Sequence, residues 1–324
     1  MTTMTRSTPL AAPGLTPPGP DARRRVRPRR RNRHRPAWDE EPSLAGSAAK
    51  GLLLVVICLV TTYPMIAVLA TSLSSQEEIA AKNGLVLWPS RPTLAAYEQV
   101  FSGGVVAEAL MRSVGITVVG TVSSVVLTVL MAYGLSRPRV VGGRFWLMSV
   151  LATMFFSAGI IPSFLVVSEL GLRGHYAAVI LPTIISAFNL VVVRSFFMSL
   201  PAELFEAARI DGAGELRILA TIVMPLSRGV VAVISLFYGV AYWNAFFNAM
   251  LYLDMDQWPV SMILRQYVLL GQPVADTAAT SEVAAPSQAL QMAVVVVSLL
   301  PILIVYPLLQ RYFTKGVLTG AVKG

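Results

Sequence analysis

The sequence predicts an all-α, polytopic membrane protein with six transmembrane helices, and three observations carry that expectation. Hydrophobic residues make up 55% of the chain and charged ones only 13%, a balance too apolar for a soluble globular protein of 324 residues. Asp, Glu, Lys and Arg are absent between Lys50 and Glu77, Arg112 and Arg137, Arg144 and Glu169, Arg173 and Arg194, Arg228 and Asp254, and Glu282 and Arg311. Each of these windows supplies the ~20 residues that a helix needs to cross a hydrocarbon core of about 30 Å, where a central charge costs about 3 kcal/mol. The third observation is the placing of positive charge. With the N-terminus inside, eleven Lys and Arg near the spans fall on the inner side and five (Lys82, Arg91, Arg112, Arg173 and Arg265) on the outer, so the positive-inside rule puts both ends in the cytoplasm.

Residues 1–46 combine Pro, Gly, Ser and Thr with the basic run Arg23 to Arg35, a composition that cannot bury a core. Much of the net charge of +9 sits there. The tail either meets anionic lipid head groups or is simply solvated on the cytoplasmic side, the favoured reading, and nucleic acid is not an expected partner. No convincing small-residue cleavage site follows the apolar run, so residues 47–73 are expected to stay as the first transmembrane helix. An extracytoplasmic connection, 74–111, comes next; Pro89 and Pro92 break any helix there, and Thr93 to Phe101 forms a short one.

The transmembrane core is expected over 112–313, with a cytoplasmic C-terminal tail at 314–324. A second outer connection, Asp254 to Glu282, contains Trp258-Pro259 and a polar run after Gly271. Trp in both outer connections marks the membrane interface or, on the functional reading, a landing surface for a soluble partner. Pro64, Pro162, Pro182, Pro301 and Pro307 are expected to kink their helices.

Polar residues inside the spans carry more information, because hydrocarbon offers them no water. Asn189 lies in the fourth span; Tyr238, Tyr242, Trp243, Asn244 and Asn248 lie in the fifth; Gln288 and Gln291 open the sixth, on one stripe with Ser298. Amides beside aromatic rings suit sugar hydroxyls and the C–H faces of a pyranose, so these eight residues are the candidate substrate pathway. The alternative is interhelical glue, worth around 0.6 to 2 kcal/mol per bond.

Between the fourth and fifth spans, residues 199–227 include LPAELFEAARIDGAGELRILATIVMP, from Leu200 to Pro225. Pro201 suits a first helical position and Gly212 a left-handed C-terminal one, so a helix is expected from Pro201 to Asp211, with a second closed by Pro225. Leu204, Ala207, Ala208 and Asp211 recur at helical spacing, two small residues that let a partner groove approach. Glu206 offers a carboxylate to a cation on that partner, or pairs locally with Arg209 or Arg217.

Several functions are disfavoured. No GxxxxGK[ST] run exists to cradle ATP phosphates, so the chain is expected to be a transport subunit and not an enzyme. One cysteine, Cys58, and two histidines provide no disulfide and no metal cluster, and no acid within a span provides a proton relay.

Glu206-Ala207-Ala208, Gly212, Ile222 and Met224-Pro225 resemble the EAA loop of ABC importer permeases, the Met being the one departure. The resemblance runs from about residue 50 to the end. GIIPSFLVVSELGL, LPTIISAFNLVVVRSFF, FYGVAYWNAFFNAMLYL and RYFTKGVLTGAVKG are similar to the maltose-permease-like branch of carbohydrate-uptake permeases, notably its oligosaccharide-type subgroup. It implies a type I ABC importer permease fold in the cell membrane and a role in binding-protein-dependent sugar uptake. The implied partners are a second permease subunit, an ABC ATPase dimer and an extracytoplasmic solute-binding protein. ATP and Mg would be bound by the ATPase, and no cofactor by this chain. Glu206, Ala207, Ala208, Asp211, Gly212 and Pro225 would couple to the ATPase. A permease for peptides, amino acids or another solute, or a stand-alone channel or carrier, are the competing readings.

Overall fold

The computed structural model describes residues 44–84, 86–102, 104–138, 140–271 and 287–321, with side chains described between residues 46 and 307. The basic tail up to residue 43, Arg139, the polar run after Gly271 with Glu282, and the side chains of Arg311, Lys315 and Lys323 lie outside the described residues. Helices account for every regular element among the described residues.

Residues up to Cys58 form one unit and Leu59 to Gly324 a second. In the first, the N-terminal half of α1 (Leu44–Ser72) is an apolar helix exposed on all sides from Lys50 to Cys58. Such a surface is stable where lipid covers it. In the second unit α1 ends at Ser72, continuous through Pro64.

The 74–111 connection folds into a cap of α2 (Gln76–Ala81) and α3 (Ala95–Phe101), the latter where the prolines leave room for it. Lys82 Nζ donates to Glu78 Oε1 at 2.7 Å, and the Ser90 amide donates to the same oxygen at 2.8 Å. Those bonds hold the Glu78 carboxyl down to about 2. Thr93 N donates to Leu73 O at 2.8 Å and Ser72 Oγ meets Tyr97 Oη at 2.7 Å, which ties α3 to the end of α1.

α4 (Val105–Ser136) fills the second window as one helix. The third window is broken: α5 (Gly143–Phe155) and α6 (Ile160–Glu169) are separated by Phe156 to Gly159, and Gly159 adopts φ +82°, which ends helical continuity. The fourth is α7 (Ala177–Ile180), a 3₁₀ turn over Leu181–Thr183 and α8 (Ala187–Met198), bent by 52°. Pro182 sits at that break and Ser186 caps α8, accepting from Asn189 N at 3.4 Å.

α9 (Ala202–Ile210), α10 (Glu215–Ile218), a π-helical turn at Leu219–Val223 and α11 (Met224–Leu226) occupy the next connection. An 85° bend separates the stretch Glu215–Leu226 from α12 (Arg228–Trp243). Pro225 does not close the second helix, which ends at Leu226. The wide turn just before it accommodates a proline that cannot donate to the Thr221 carbonyl.

α12 is followed by α13 (Phe246–Tyr252), a 3₁₀ turn at Met255–Gln257, α14 (Val260–Leu264) with its π-helical extension Arg265–Leu269, and α15 (Gln288–Ala321). α15 continues through Pro301 and Pro307 and past residue 313. Three helices are thus long and apolar enough to cross a membrane singly, and two bent pairs pass the same test jointly. The six uncharged windows hold helices, but only three hold one unbroken helix. α4 packs chiefly against α12 and α8, and α12 also against α15. The α4–α12 contact is close: a Cβ on Gly120 would lie 2.8 Å from the Tyr242 ring. Trp258 is 9% exposed within the core, so it is a packing residue and not an interfacial one, whereas Trp88 is 83% exposed.

Candidate functional site

The 199–227 connection presents one helix with two distinct faces. Pro201 is the N-cap of α9 and Gly212, at φ +76°, turns the chain after the C-cap Asp211. Phe205 and Ala208 are buried and pack with Ile218, Leu219 and Val223 behind them and Val193 and Phe197 of α8. Ala207 and Glu206 are exposed. The expected pair of small residues on one face is therefore divided. Ala208 follows Phe205 into the chain's own core, and Ala207, a further 100° round the helix, stays on the outer surface. Among the described residues Glu206 makes no ion pair or side-chain hydrogen bond, because Arg209 is taken by Glu215 at 2.8 Å. Beside it Ile210 is 86% and Leu216 74% exposed, an apolar surface flanking a free carboxylate. Asp211 and Pro225 are exposed as well.

A cluster that spacing alone does not reveal joins this connection to α4. Tyr133 Oη donates to Glu215 Oε2 at 2.6 Å, and Arg209 holds the other oxygen of the same carboxylate. Arg137 lies between two rings, its guanidinium carbon 4.1 Å from the Tyr133 centroid and 3.9 Å from that of Phe205. Arg194 Nε donates to Leu135 O at 3.0 Å, fastening α8 to the same end of α4. The sequence signal was faint: Tyr133 and Arg137 stand one turn apart at a window's edge, and nothing local says that Glu215 will meet them.

The far side of the helix contact encloses a cavity of about 150 Å³ lined by Thr183, Tyr238, Tyr242, Asn244, Phe247 and Asn248, among others. Four candidate pathway residues are thus brought together. The tyrosines wall it but use their hydroxyls elsewhere. Tyr238 Oη meets Thr128 Oγ1 at 2.7 Å and accepts from Ser186 N at 2.9 Å, while Tyr242 Oη meets Ser124 Oγ at 2.8 Å and donates to Ile180 O at 3.3 Å. Asn244 Nδ2 donates back to Val240 O at 2.8 Å, leaving its carbonyl oxygen available. Asn248 has no side-chain hydrogen-bond partner among the described residues.

The other four candidates lie away from this cavity. Trp243 Nε1 donates to Ser298 O at 3.2 Å and its ring borders an apolar cleft between α12 and α15, so it is interhelical glue. Gln288 Nε2 donates to Gly84 O at 3.0 Å, fixing the start of α15 to the cap formed by the 74–111 connection. Asn189 is buried in α8, and Gln291 half-buried in α15. A second, more open cleft of about 330 Å³ lies between Phe246 of α13 and the helix carrying Ser261 and Arg265.

Apolar helices interrupted where polar groups gather, a polar cavity between them and an amphipathic helix exposed on one connection define a membrane transport subunit. The chain belongs to the family of binding-protein-dependent transport system inner membrane components, which matches residues 43–319. The polygalacturonan/rhamnogalacturonan transport system permease protein YtcP of Bacillus subtilis (strain 168) is 44% identical over 276 residues, 84% of this chain and 96% of that protein. Protein LplC of the same strain is 42% identical over 267 residues, 82% of this chain and 90% of its own. A solved bacterial ABC transporter involved in the import of the acidic polysaccharide alginate contains a chain that matches with a TM-score of 0.77 at 31% identity, over 85% of this chain and 100% of that one.

Proposed function

We propose that this chain is the membrane-spanning permease subunit of an ATP-driven importer of oligosaccharides, paired with a second permease, an ATPase dimer and an extracytoplasmic binding protein. Both termini and the 199–227 connection then face the cytoplasm. The observation that carries the reading is α9: its buried face locks it to the core, while unpaired Glu206, Ala207 and Ile210 remain on the surface for a partner. Relatives handling polygalacturonan, rhamnogalacturonan and alginate support a sugar, and an acidic one.

The mechanism follows the hydrogen bonds. ATP-driven closure of the ATPase dimer moves α9, and the Tyr133–Glu215–Arg209 cluster with Arg137 passes that displacement to the end of α4. α4 is in turn bonded to α12 through Ser124–Tyr242 and Thr128–Tyr238, the tyrosines that wall the polar cavity. A motion at the connection therefore reshapes the cavity without any chemistry in this chain.

Uptake of labelled oligogalacturonate by proteoliposomes holding the full complex tests the reading. Wild-type complex accumulates sugar only with ATP, and Glu206→Lys abolishes accumulation by reversing the charge offered to the ATPase. Unimpaired ATP-driven uptake by Glu206→Lys, or sugar flux through this chain without the ATPase, contradicts it.

A further inference from the structure

The break between α7 and α8 takes Ser186 N out of the helical ladder, in a span where hydrocarbon offers no water to replace the lost bond. Tyr238 Oη accepts from that N–H at 2.9 Å. On the other flank of the break, Ile180 O receives the Tyr242 hydroxyl at 3.3 Å. The two tyrosines stand one turn apart on α12, so one face of a single helix holds both flanks. Their hydroxyls are committed inside the chain. Tyr242 gives its one proton to Ile180 O and accepts from Ser124 Oγ, while Tyr238, beyond the Ser186 amide, meets Thr128 Oγ1 at 2.7 Å. Both side chains are buried, which leaves their rings and not their hydroxyls to wall the polar cavity.

Thr183 lies inside the break, is exposed, and lines that cavity with Asn244 and Asn248. Its Oγ1 donates to Val179 O at 3.3 Å, so its place follows the end of α7. The other flank leads to the 199–227 connection: α8 carries Val193 and Phe197, which share a packed cluster with Phe205 of α9. The break thus stands between the exposed helix α9 and one wall of the cavity.

We propose that Tyr238 and Tyr242 are positioning residues whose hydroxyls clamp the two flanks of the break and so hold Thr183 against the polar cavity. They shape the sugar's path through Thr183 and do not bond the sugar themselves. The inference rests on the permease reading for what passes through the cavity, and adds what fixes its Thr183 wall.

The test uses the full complex in proteoliposomes with Cys58→Ser, and Thr183→Cys as the reporter on the wall. A small water-soluble methanethiosulfonate should label the reporter about fivefold faster in Tyr238→Phe and in Tyr242→Phe, the change expected for one lost hydrogen bond. Thr128→Val and Ser124→Ala cut only the tyrosines' bonds to α4 and should leave the rate within about twofold. With Thr183 restored, both tyrosine variants should move severalfold less labelled oligogalacturonate per ATP. Equal acceleration in all four variants, no acceleration in the tyrosine pair, or failure of that pair to assemble overturns the clamp. Lower uptake with unchanged labelling overturns it in favour of direct contact with the sugar. Absence of uptake by wild-type complex instead overturns the oligosaccharide reading, and the labelling rates still decide the clamp.

Discussion

Replacing Gly120 by alanine probes the contact on which the cavity wall depends. A Cβ at this position would lie 2.8 Å from Cδ2 and 2.9 Å from Cε2 and Cγ of Tyr242, whereas carbon atoms rest about 3.5–4.0 Å apart. A displacement of roughly 0.7 Å or more is thus required. The ring cannot swing aside freely, because its hydroxyl is held by Ser124, one turn further along the same α4, and by Ile180 O. Either α4 and α12 separate, at about 1–3 kcal/mol for overpacking, or the hydroxyl bonds are surrendered at about 1 kcal/mol each. Gly120→Ala should therefore lose about 1–3 kcal/mol in equilibrium unfolding in mixed micelles. Gly239→Ala is the control: its Cβ would meet only Thr121 Oγ1 at 3.6 Å, an ordinary contact. A Gly120→Ala protein within about 0.5 kcal/mol of wild type would refute the close packing, as would a Gly239→Ala change of equal cost.

Three further outcomes follow from other contacts. Asn248→Ala should reduce oligosaccharide-stimulated ATPase activity of the complex severalfold while leaving unfolding within about 0.5 kcal/mol, since the amide has no bond among the described residues to lose. Tyr133→Phe removes the α4 donor to Glu215 and should leave ATP hydrolysis running with several-fold less sugar moved per ATP; an unchanged ratio argues against the linkage. In the cap of α2 and α3, Glu78 titrates at about 2 against an ordinary value of 4.5, so it favours the folded cap above pH 4.5 and that contribution disappears as the pH falls from 4.5 through about 2. Amide exchange at Ser90, measured over that range, should accelerate on acidification, and Glu78→Gln should flatten the profile.

The membrane character was legible because charge is excluded from hydrocarbon, which leaves six uncharged windows in the sequence. α9 was legible for a local reason: Pro201 and Gly212 dictate its ends through backbone geometry alone. Breaks inside the windows were harder to read. The interruption before Ile160 depends on Gly159 adopting a left-handed angle, which an isolated glycine permits but does not impose. Site residues divided along the same line. Tyr238, Tyr242, Asn244 and Asn248, grouped by helical spacing, line one cavity, whereas the places of Trp243, on another face of α12, and Gln288, bound to Gly84 across the fold, depended on which neighbour each met. The Tyr133–Glu215 bond joins residues 82 apart in sequence, and no local periodicity encodes it.

The account stands on α9 facing the compartment where ATP is hydrolysed. With Cys58→Ser to remove the single native thiol, Ala207→Cys provides an exposed probe on that helix. A membrane-impermeant maleimide should label it in inverted vesicles and leave it unmodified in right-side-out ones. Labelling from the outer face would contradict the account.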